Sequence, residues 1–408
     1  MIDYYETKSQ PITRLMVWQS YRKVRANKGS AGIDEMGWQD LDKDLSSQLY
    51  KLWNRLSSGS YFPMAVKEVE IPKGTAGGTR KLGIPTIIGR IAQQVVKTRL
   101  EQIVEPHFHD SSYGYRPLRS CHQAVEKAMY NAMNYDWIID LDIQDFFDTI
   151  DHELLLKSVG HYCQDKWVLL YITRWLNAGI LQQDGQYQDR LSGTPQGGVI
   201  SPLLANVFLH VVFDKWMQTH HGEKPFERYA DDVLVHCKTE KQALYVLKKI
   251  EGRMKECKLT LHASKTRIVS PRGKSENKYA RSVDFLGFSL HPIWSQTRKG
   301  NKVLVSSFMS RKSKSRVLEK FKSYHIHKWR RPLEEIARAL KPVIVGVMNY
   351  YCKFWSSHTR SVWLQLNARL IKWVKWEKGL YSDAASRWLK QKYREDPELF
   401  PHWRLVHP

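Results

Sequence analysis

Apolar positions recur every three to four residues in some stretches of the chain and every second residue in others, and the two periods divide it into helices and strands. Leu15, Trp18, Tyr21 and Val24 stand at helical spacing and predict a short helical arm within residues 1–45. A Gly-rich break, NKGSAGID (Asn27–Asp34), precedes a helix predicted over Leu45–Leu56 and ended by Ser57-Ser58-Gly59. Val66–Ile71 reads as a strand, Pro72–Gly78 as a turn and Arg80–Ile84 as the returning strand. Helices follow over Arg90–Ile103, with Ile91, Val95, Val96 and Leu100 on one face, and over Cys121–Met133. Between them lies a polar loop, His107–Leu118. Trp137–Asp142 reads as a buried strand, 152–177 as helical and 181–191 as a hairpin. Ser192–Phe208 starts as a Gly-rich loop and enters a helix with Ser201 as its cap and Pro202 at its first position. Phe226–Cys237 is a predicted hairpin, and Glu240–Glu256 a helix. Leu259–Val269 holds Lys265 between two apolar stretches, and Val283–Pro292 is a strand with a turn at Gly287. Beyond Ser310 the period is helical, over 311–323, 333–341, 343–355, 360–378 and 384–394, with Pro332 and Pro342 at helix starts.

Two of these elements end in acid. The hairpin turns at Ala230-Asp231-Asp232, and two adjacent carboxylates repel, so each tends to hold its proton. A hard cation removes that conflict, and oxygen ligands suit Mg²⁺. The plainer reading is a polar turn, since Asp is a common turn residue. On the strand at 137–142, side chains alternate, so Asp140 and Asp142 share the face opposite Ile139 and Leu141. A carboxylate at the end of an apolar strand is either solvated there or held by a partner such as a metal. Three further acids, Asp145, Asp148 and Asp140 itself, are assigned to structure.

Charge changes the picture next. The formal net charge is +23, and residues 296–408 alone hold 25 Lys/Arg against 8 Asp/Glu. Eight of the 15 Trp lie from Trp294 onward. Cations interleaved with aromatics suit a polyanion carrying stackable bases. The hydrophobic content of 42% excludes wholesale disorder. No apolar run reaches 18 residues and MIDYYETKSQP has no signal pattern, so neither a membrane span nor a leader is expected. Cys121, Cys163, Cys237, Cys257 and Cys352 lack zinc spacing and are expected as free thiols. The pairs His107/His109 and His325/His327 are read as surface or RNA-facing.

Asp142 precedes Asp231 and Asp232 by 89 and 90 residues, with the Gly-rich loop SGTPQGG between. Three carboxylates from two adjacent strands suffice for two Mg²⁺ ions about 3.5–4 Å apart, the arrangement that activates a 3′-hydroxyl and steadies a pyrophosphate.

The stretches KGSAGID, RKLGIP, SYGYRP, DLDIQDFFDTIDH, GTPQGGVISPLLANVFL, YADD, SKTRIV and FLGF stand in the order found in reverse transcriptases of bacterial group II introns. GVMNYYCKF (Gly346–Phe354) resembles the maturase segment that follows the polymerase in such proteins. The resemblance covers roughly residues 15–405 and implies an α+β fold: a right-hand polymerase with fingers, an antiparallel-sheet palm and an α-helical thumb/maturase domain. It implies an N-terminal extension over 1–45, fingers over 46–135, palm over 136–295, thumb/maturase over 296–385 and a short basic tail over 386–408.

The same resemblance implies the site. Asp142, Asp231 and Asp232 would be catalytic and, with the Ile143 carbonyl, would hold two Mg²⁺ ions, Mn²⁺ substituting. Lys73, Arg80, Phe146, Phe147, Gln196 and Lys265 would bind the nucleotide, Phe147 excluding a 2′-hydroxyl and Lys265 giving a proton to the pyrophosphate. Phe285, Leu286, Gly287 and Phe288 would hold the primer. The family's Lys-Gly pair after position 143 is Gln144-Asp145 here, an extra acid near the site. Implied partners are group II intron RNA, an RNA template with a DNA primer, dNTPs and target DNA, with no membrane and with room for a homodimer. The implied location is the cytoplasm, with nucleoid association compatible. PELFPHWRLVHP is too short for an endonuclease, so a primer from elsewhere, such as a replication fork, is expected. Two other readings stay open: a domesticated relative in repair or phage defence, and a splicing cofactor with an inactive polymerase.

Overall fold

The computed structural model describes residues 5–72, 78–272, 278–297 and 300–408, apart from the side chains of 80, 296–297 and 300–302. Two compact units emerge. The first contains Met1–Ser120, Ile139–Val235 and Glu240–Arg267, and the second Cys121–Ile138, His236–Thr239 and Ile268–Pro408. Helices and largely antiparallel strands mix, as the α+β reading expects. None of the five cysteines, all among the described residues, forms a disulfide.

The strands, in chain order, are β1 (Val66–Pro72), β2 (Thr79–Ile84), β3 (Trp137–Leu141), β4 (Ile180–Leu181), β5 (Tyr187–Gln188), β6 (Phe226–Tyr229), β7 (Asp232–Cys237), β8 (Arg267–Val269), β9 (Val283–Phe285), β10 (Phe288–Thr297) and β11 (Gly300–Met309). One sheet has the order β2-β1-β4-β5, a second β6-β7-β3-β8 and a third β11-β10-β9. β1 and β2 pair antiparallel from Lys67↔Ile84 to Pro72↔Thr79. β6 and β7 pair antiparallel and close at Tyr229↔Asp232, so the connection is the two residues Ala230 and Asp231.

In the first unit, Thr13 caps the helix Arg14–Ala26 by accepting from the Met16 amide, and Thr86 caps Ile87–Val104 by accepting from Gly89. The first of these helices buries Val17, Tyr21 and Val24, whereas Trp18, expected on the buried stripe, stays exposed and stacks on Tyr21. The helical stretch expected over 152–177 consists of two helices, His152–Tyr162 and Lys166–Leu176. Cys163 between them has extended backbone and is fully buried, and Arg99 holds the Asp165 carboxylate at 2.7 Å, so the chain bends to satisfy both. Ser201 is the first residue of its helix rather than the cap; no side chain caps it, and Gln93 instead takes up the preceding Val199 amide at 2.7 Å. Within 259–269 the second apolar stretch falls on the strand Arg267–Val269.

In the second unit a helical core packs Phe321, Leu340, Trp363, Leu370, Trp373 and Trp403. Each such side chain removed from water contributes about 1.5–3 kcal/mol. The predicted helices 333–341 and 343–355 are one, Leu333–Tyr351, with Pro342 inside it. Pro342 forfeits one backbone hydrogen bond, but Ile336, Leu340, Ile344 and Val347 on both sides bury one continuous stripe, and burial outweighs the lost bond. The third sheet lies in this unit. Its β9–β10 connection is Leu286 (φ +51°) and Gly287 (φ +80°), the two left-handed residues that a tight hairpin demands.

Candidate active site

Every side chain of the acidic cluster lies in the first unit. Asp142 follows the last residue of β3, and Asp232 is the first residue of β7, the strand beside β3. Neighbouring strands run about 4.7–4.9 Å apart, so the 90-residue separation in sequence collapses to adjacent strand ends. The segment after β7's helix fixes the Asp142 backbone: the His262 amide donates to its carbonyl at 2.8 Å, and the Thr266 hydroxyl contacts its amide at 3.3 Å. Ile143 is buried and bridges Leu261.

The turn itself is strained in a defined way. Ala230 adopts φ +56°, a left-handed conformation that L side chains rarely take. It thereby presents Asp231 and Asp232 on successive positions at the sheet end. Burial, then the Asp142 charge, raises the Asp231 carboxyl above its ordinary range. Asp232 has an open side to solvent, yet it is hemmed in elsewhere by protein and acid. Desolvation, then Asp231, Asp142 and Asp140, pushes its carboxyl up to about 7. Lys265, in the turn before β8, places its ammonium 3.2 and 3.4 Å from the two oxygens of Asp142. Asp140 pairs with Arg267 at 3.0 Å, and Asp145 starts the short helix Phe146–Thr149 with φ +43°.

Among the described residues, no three His, Cys, Asp or Glu side chains converge into a ready-made metal cage. The physics is that of crowded acids: the carboxyls repel, and Lys265 draws Asp142 to itself. The donor set still fits a hard divalent cation, because it offers crowded carboxylate oxygens whose raised proton affinity a cation would relieve.

The loop Ser192–Gly198 approaches this region backbone to backbone. A Cβ on Gly193 would lie 2.6 Å from the Phe147 carbonyl, and one on Gly197 would lie 2.3 Å from the Gly83 carbonyl, so only glycine permits both contacts. Gln196 donates to Asp148 at 3.2 Å. Phe146 is buried and packs edge-on against the half-buried Phe147, 5.5 Å between ring centres. A cleft of about 350 Å³ opens beside them, with Lys81, Asp148, Arg190, Thr194 and Gln196 among its walls. Lys81 is held by Glu68 at 3.0 Å. Lys73 and the side chain of Arg80 lie outside the described residues.

Phe285, Leu286, Gly287 and Phe288 sit in the second unit, within the β9–β10 hairpin. The GVMNYYCKF segment braces that hairpin: Tyr350 donates to the Leu286 carbonyl at 2.8 Å, and its ring stacks on Phe288 at 5.3 Å. His109, expected to face outward, is instead half-buried. Its ring stacks on Phe226 at 4.8 Å, its Nδ1 accepts from the Ser111 amide, and burial lowers its pKa.

Sequence reasoning missed a buried polar group behind the turn. Arg228, on β6, is fully buried and forks onto Asp214 at 2.7 and 2.6 Å. Burial alone would raise the Asp214 carboxyl, but Arg228 and His210 outweigh it and hold it below its ordinary range. Arg228 also reaches Asn206 at 2.9 Å and the Ala230 carbonyl at 3.2 Å. The signal in the sequence was a charged pair, Glu227-Arg228, inside the strand FERY and an asparagine within the apolar helix SPLLANVFL.

Residues 71–290 match the family model described as reverse transcriptase (RNA-dependent DNA polymerase), and residues 314–394 match that of the group II intron maturase-specific domain. The chain is similar to the group II intron-encoded protein LtrA of Lactococcus lactis subsp. cremoris, 35% identical over 242 residues, 58% of this chain and 39% of that protein. It is similar to protein YkfC of Escherichia coli (strain K12), 34% identical over 210 residues, 50% of this chain and 54% of that protein. Apo telomerase from Candida Tropicalis, truncated from its C-terminal domain, aligns with a TM-score of 0.43 and 15% identity, over 56% of this chain and 53% of that one. The match spans between two fifths and just over half of the length of the two curated relatives. With its matched segment covering more than half of the sequence, the chain belongs to the reverse transcriptase (RNA-dependent DNA polymerase) family.

Proposed function

We propose that the protein is an RNA-directed DNA polymerase of the group II intron type, which copies RNA into cDNA and binds intron RNA as a maturase to assist splicing and retrohoming. The observation that carries this reading is the meeting of Asp142 with the Asp231–Asp232 turn on neighbouring strands, each carboxyl raising the proton affinity of the next. Such a group neutralises divalent cations by charge and gives them oxygen ligands.

Asp142, Asp231 and Asp232, with the Ile143 carbonyl, would hold two Mg²⁺ ions, or Mn²⁺ in their place. When bound, these ions would activate a primer 3′-hydroxyl and steady the leaving pyrophosphate. The chain's own contribution is positioning and charge. Phe146 anchors Phe147, whose half-exposed ring would close the space a ribose 2′-hydroxyl needs. Gln196, oriented by Asp148, would contact the nucleotide, with Lys73 and Arg80 gripping its triphosphate. Lys265 would leave Asp142 once cations bind and offer its proton to the pyrophosphate. Phe285–Phe288, stiffened by Tyr350, would seat the primer end.

In this reading the fingers occupy 46–135, the palm 136–295 and the helical thumb/maturase domain 296–385. The basic, Trp-rich stretch beyond Trp294 suits structured RNA, read through phosphates and shape. No helix among the described residues is long and apolar enough to cross a membrane. The test is primer extension on an RNA template with Mg²⁺, alongside RNA binding. Asp231→Asn should abolish cDNA while leaving RNA affinity intact. Equal loss of both in a folded variant, or no cDNA from the unaltered protein, would refute the polymerase reading.

A further inference from the structure

The structure assigns a positioning role to Asn206: we propose that this side chain, with Arg228 and Asp214, sets the place of the Ala230–Asp231 turn and so of the two carboxylates it carries. The inference rests on the polymerase reading and goes beyond it by naming what holds the site in register.

Ala230 is gripped from both ends of its own backbone. On one side, Arg228 donates to its carbonyl at 3.2 Å. On the other, Gly114 backs onto its amide so closely that a Cβ at 114 would lie 2.5 Å from the Ala230 nitrogen. Asn206 joins the two grips. It is fully buried; its Nδ2 donates to the Gly114 carbonyl at 2.6 Å, and its Oδ1 accepts from Arg228 at 2.9 Å. The loop is also tied to the strand directly, the Tyr113 amide donating to the Arg228 carbonyl and the Arg228 amide to the Ser111 carbonyl, both at 2.8 Å. Asp214 anchors the far end of the guanidinium, and a π-helical turn at His210–Asp214 brings it there.

A buried ion pair is a poor device for stability alone, since its desolvation cost about cancels its attraction. Here its spare hydrogen-bonding capacity goes to the residue before the carboxylates. Ala230 needs such a hold, because φ +56° in a non-glycine residue persists only when its surroundings impose it. Metal chemistry tolerates displacements of about 0.5 Å. A side chain that fixes the turn from both sides therefore acts on the reacting centre without touching it.

The test uses the full chain with Asn206→Asp, which keeps an acceptor for Arg228 and loses the donor to Gly114, and Asn206→Ser, which leaves the Arg228–Asp214 pair intact. Each is measured per folded molecule for single-turnover primer extension, dNTP KM, the Mg²⁺ concentration at half-maximal rate, and Mn²⁺ affinity by EPR without nucleotide. The expected result is a rate loss of about 10–100-fold. It comes with a severalfold higher Mg²⁺ requirement, weaker Mn²⁺ binding and a dNTP KM within about twofold of the unaltered value. If Asn206→Asp does not fold, Asn206→Ser carries the same comparison. A folded variant that melts earlier but keeps its rate and Mg²⁺ dependence overturns the proposal. An inactive parent chain would sink the polymerase reading; the clamp is then judged on Mn²⁺ binding, and unchanged affinity in the variant overturns it.

Discussion

The ammonium of Lys265 lies 3.2 Å from one oxygen of Asp142 and 3.4 Å from the other. A cation of the chain's own thus sits on the carboxylate proposed to receive a metal. Ammonium and divalent ion compete for the same lone pairs, so Lys265→Met should tighten Mn²⁺ binding in the absence of nucleotide. Both partners are partly exposed, which puts the pair at about 0.2–1 kcal/mol and the gain at roughly 1.5- to 5-fold. EPR titration measures it, and weaker binding in the variant would contradict the competition. The same substitution should slow primer extension, since the proposed proton donor is gone.

Asp232→Asn should raise thermal stability in a chelating buffer at pH 8. The folded chain holds this carboxyl at about 7, above its ordinary value, because of desolvation and three acidic neighbours. A carboxyl raised on folding binds its proton more tightly in the native state, so the stability it lends is present at low pH and is lost as pH rises through about 7. The amide removes that loss. Melting curves at pH 8 and pH 4 should therefore differ: a gain at the first, little at the second. Equal effects at both would point to packing rather than charge.

Tyr350→Phe should loosen the β9–β10 hairpin. It deletes the bond to the Leu286 carbonyl, which contributes about 0.5–1.5 kcal/mol. Tyr350→Ala also removes the ring stacked on Phe288 and should cost more. Urea titration gives the stability order, and primer–template dissociation should speed up in the same order. A dissociation rate indifferent to both would separate this hairpin from the primer.

His402→Phe should blunt acid unfolding of the second unit. Burial lowers the His402 pKa to about 3, so the native ring stays neutral while the unfolded one titrates near its ordinary value. Stability is then lost as pH falls from about 6.5 towards 3, at up to roughly 1.4 kcal/mol per pH unit. Phenylalanine removes the titration, and Asn367, which accepts from His402 at 2.8 Å, keeps the Trp403 donor at 3.1 Å. Tryptophan fluorescence against pH should show a shallower acid limb in the variant.

Much of this was open to a reader of the bare chain. Period and punctuation placed the helices at 240–256, 311–323 and 360–378, and the turns at Ala230–Asp231 and Gly287. Local rules suffice there, because a Gly in a strand pair or a cap before an apolar stripe acts within a few residues. They failed where distant packing decided. Pro342 reads as a helix start, but the apolar stripe running through it is buried along its whole length. Ser201 reads as a cap, yet Gln93 satisfies the loop amide.

The amino-acid order alone established the family's ordered motifs, the three acids and the basic, tryptophan-rich end, since these depend on residue identity and spacing. The folded chain decided which acids share a field, that Lys265 sits on Asp142, and that Asn206 ties Gly114 to Arg228 across 92 and 22 residues. Those are hydrogen bonds and Coulomb interactions between groups far apart in sequence, and they act over a few ångströms once tertiary packing has brought the groups together.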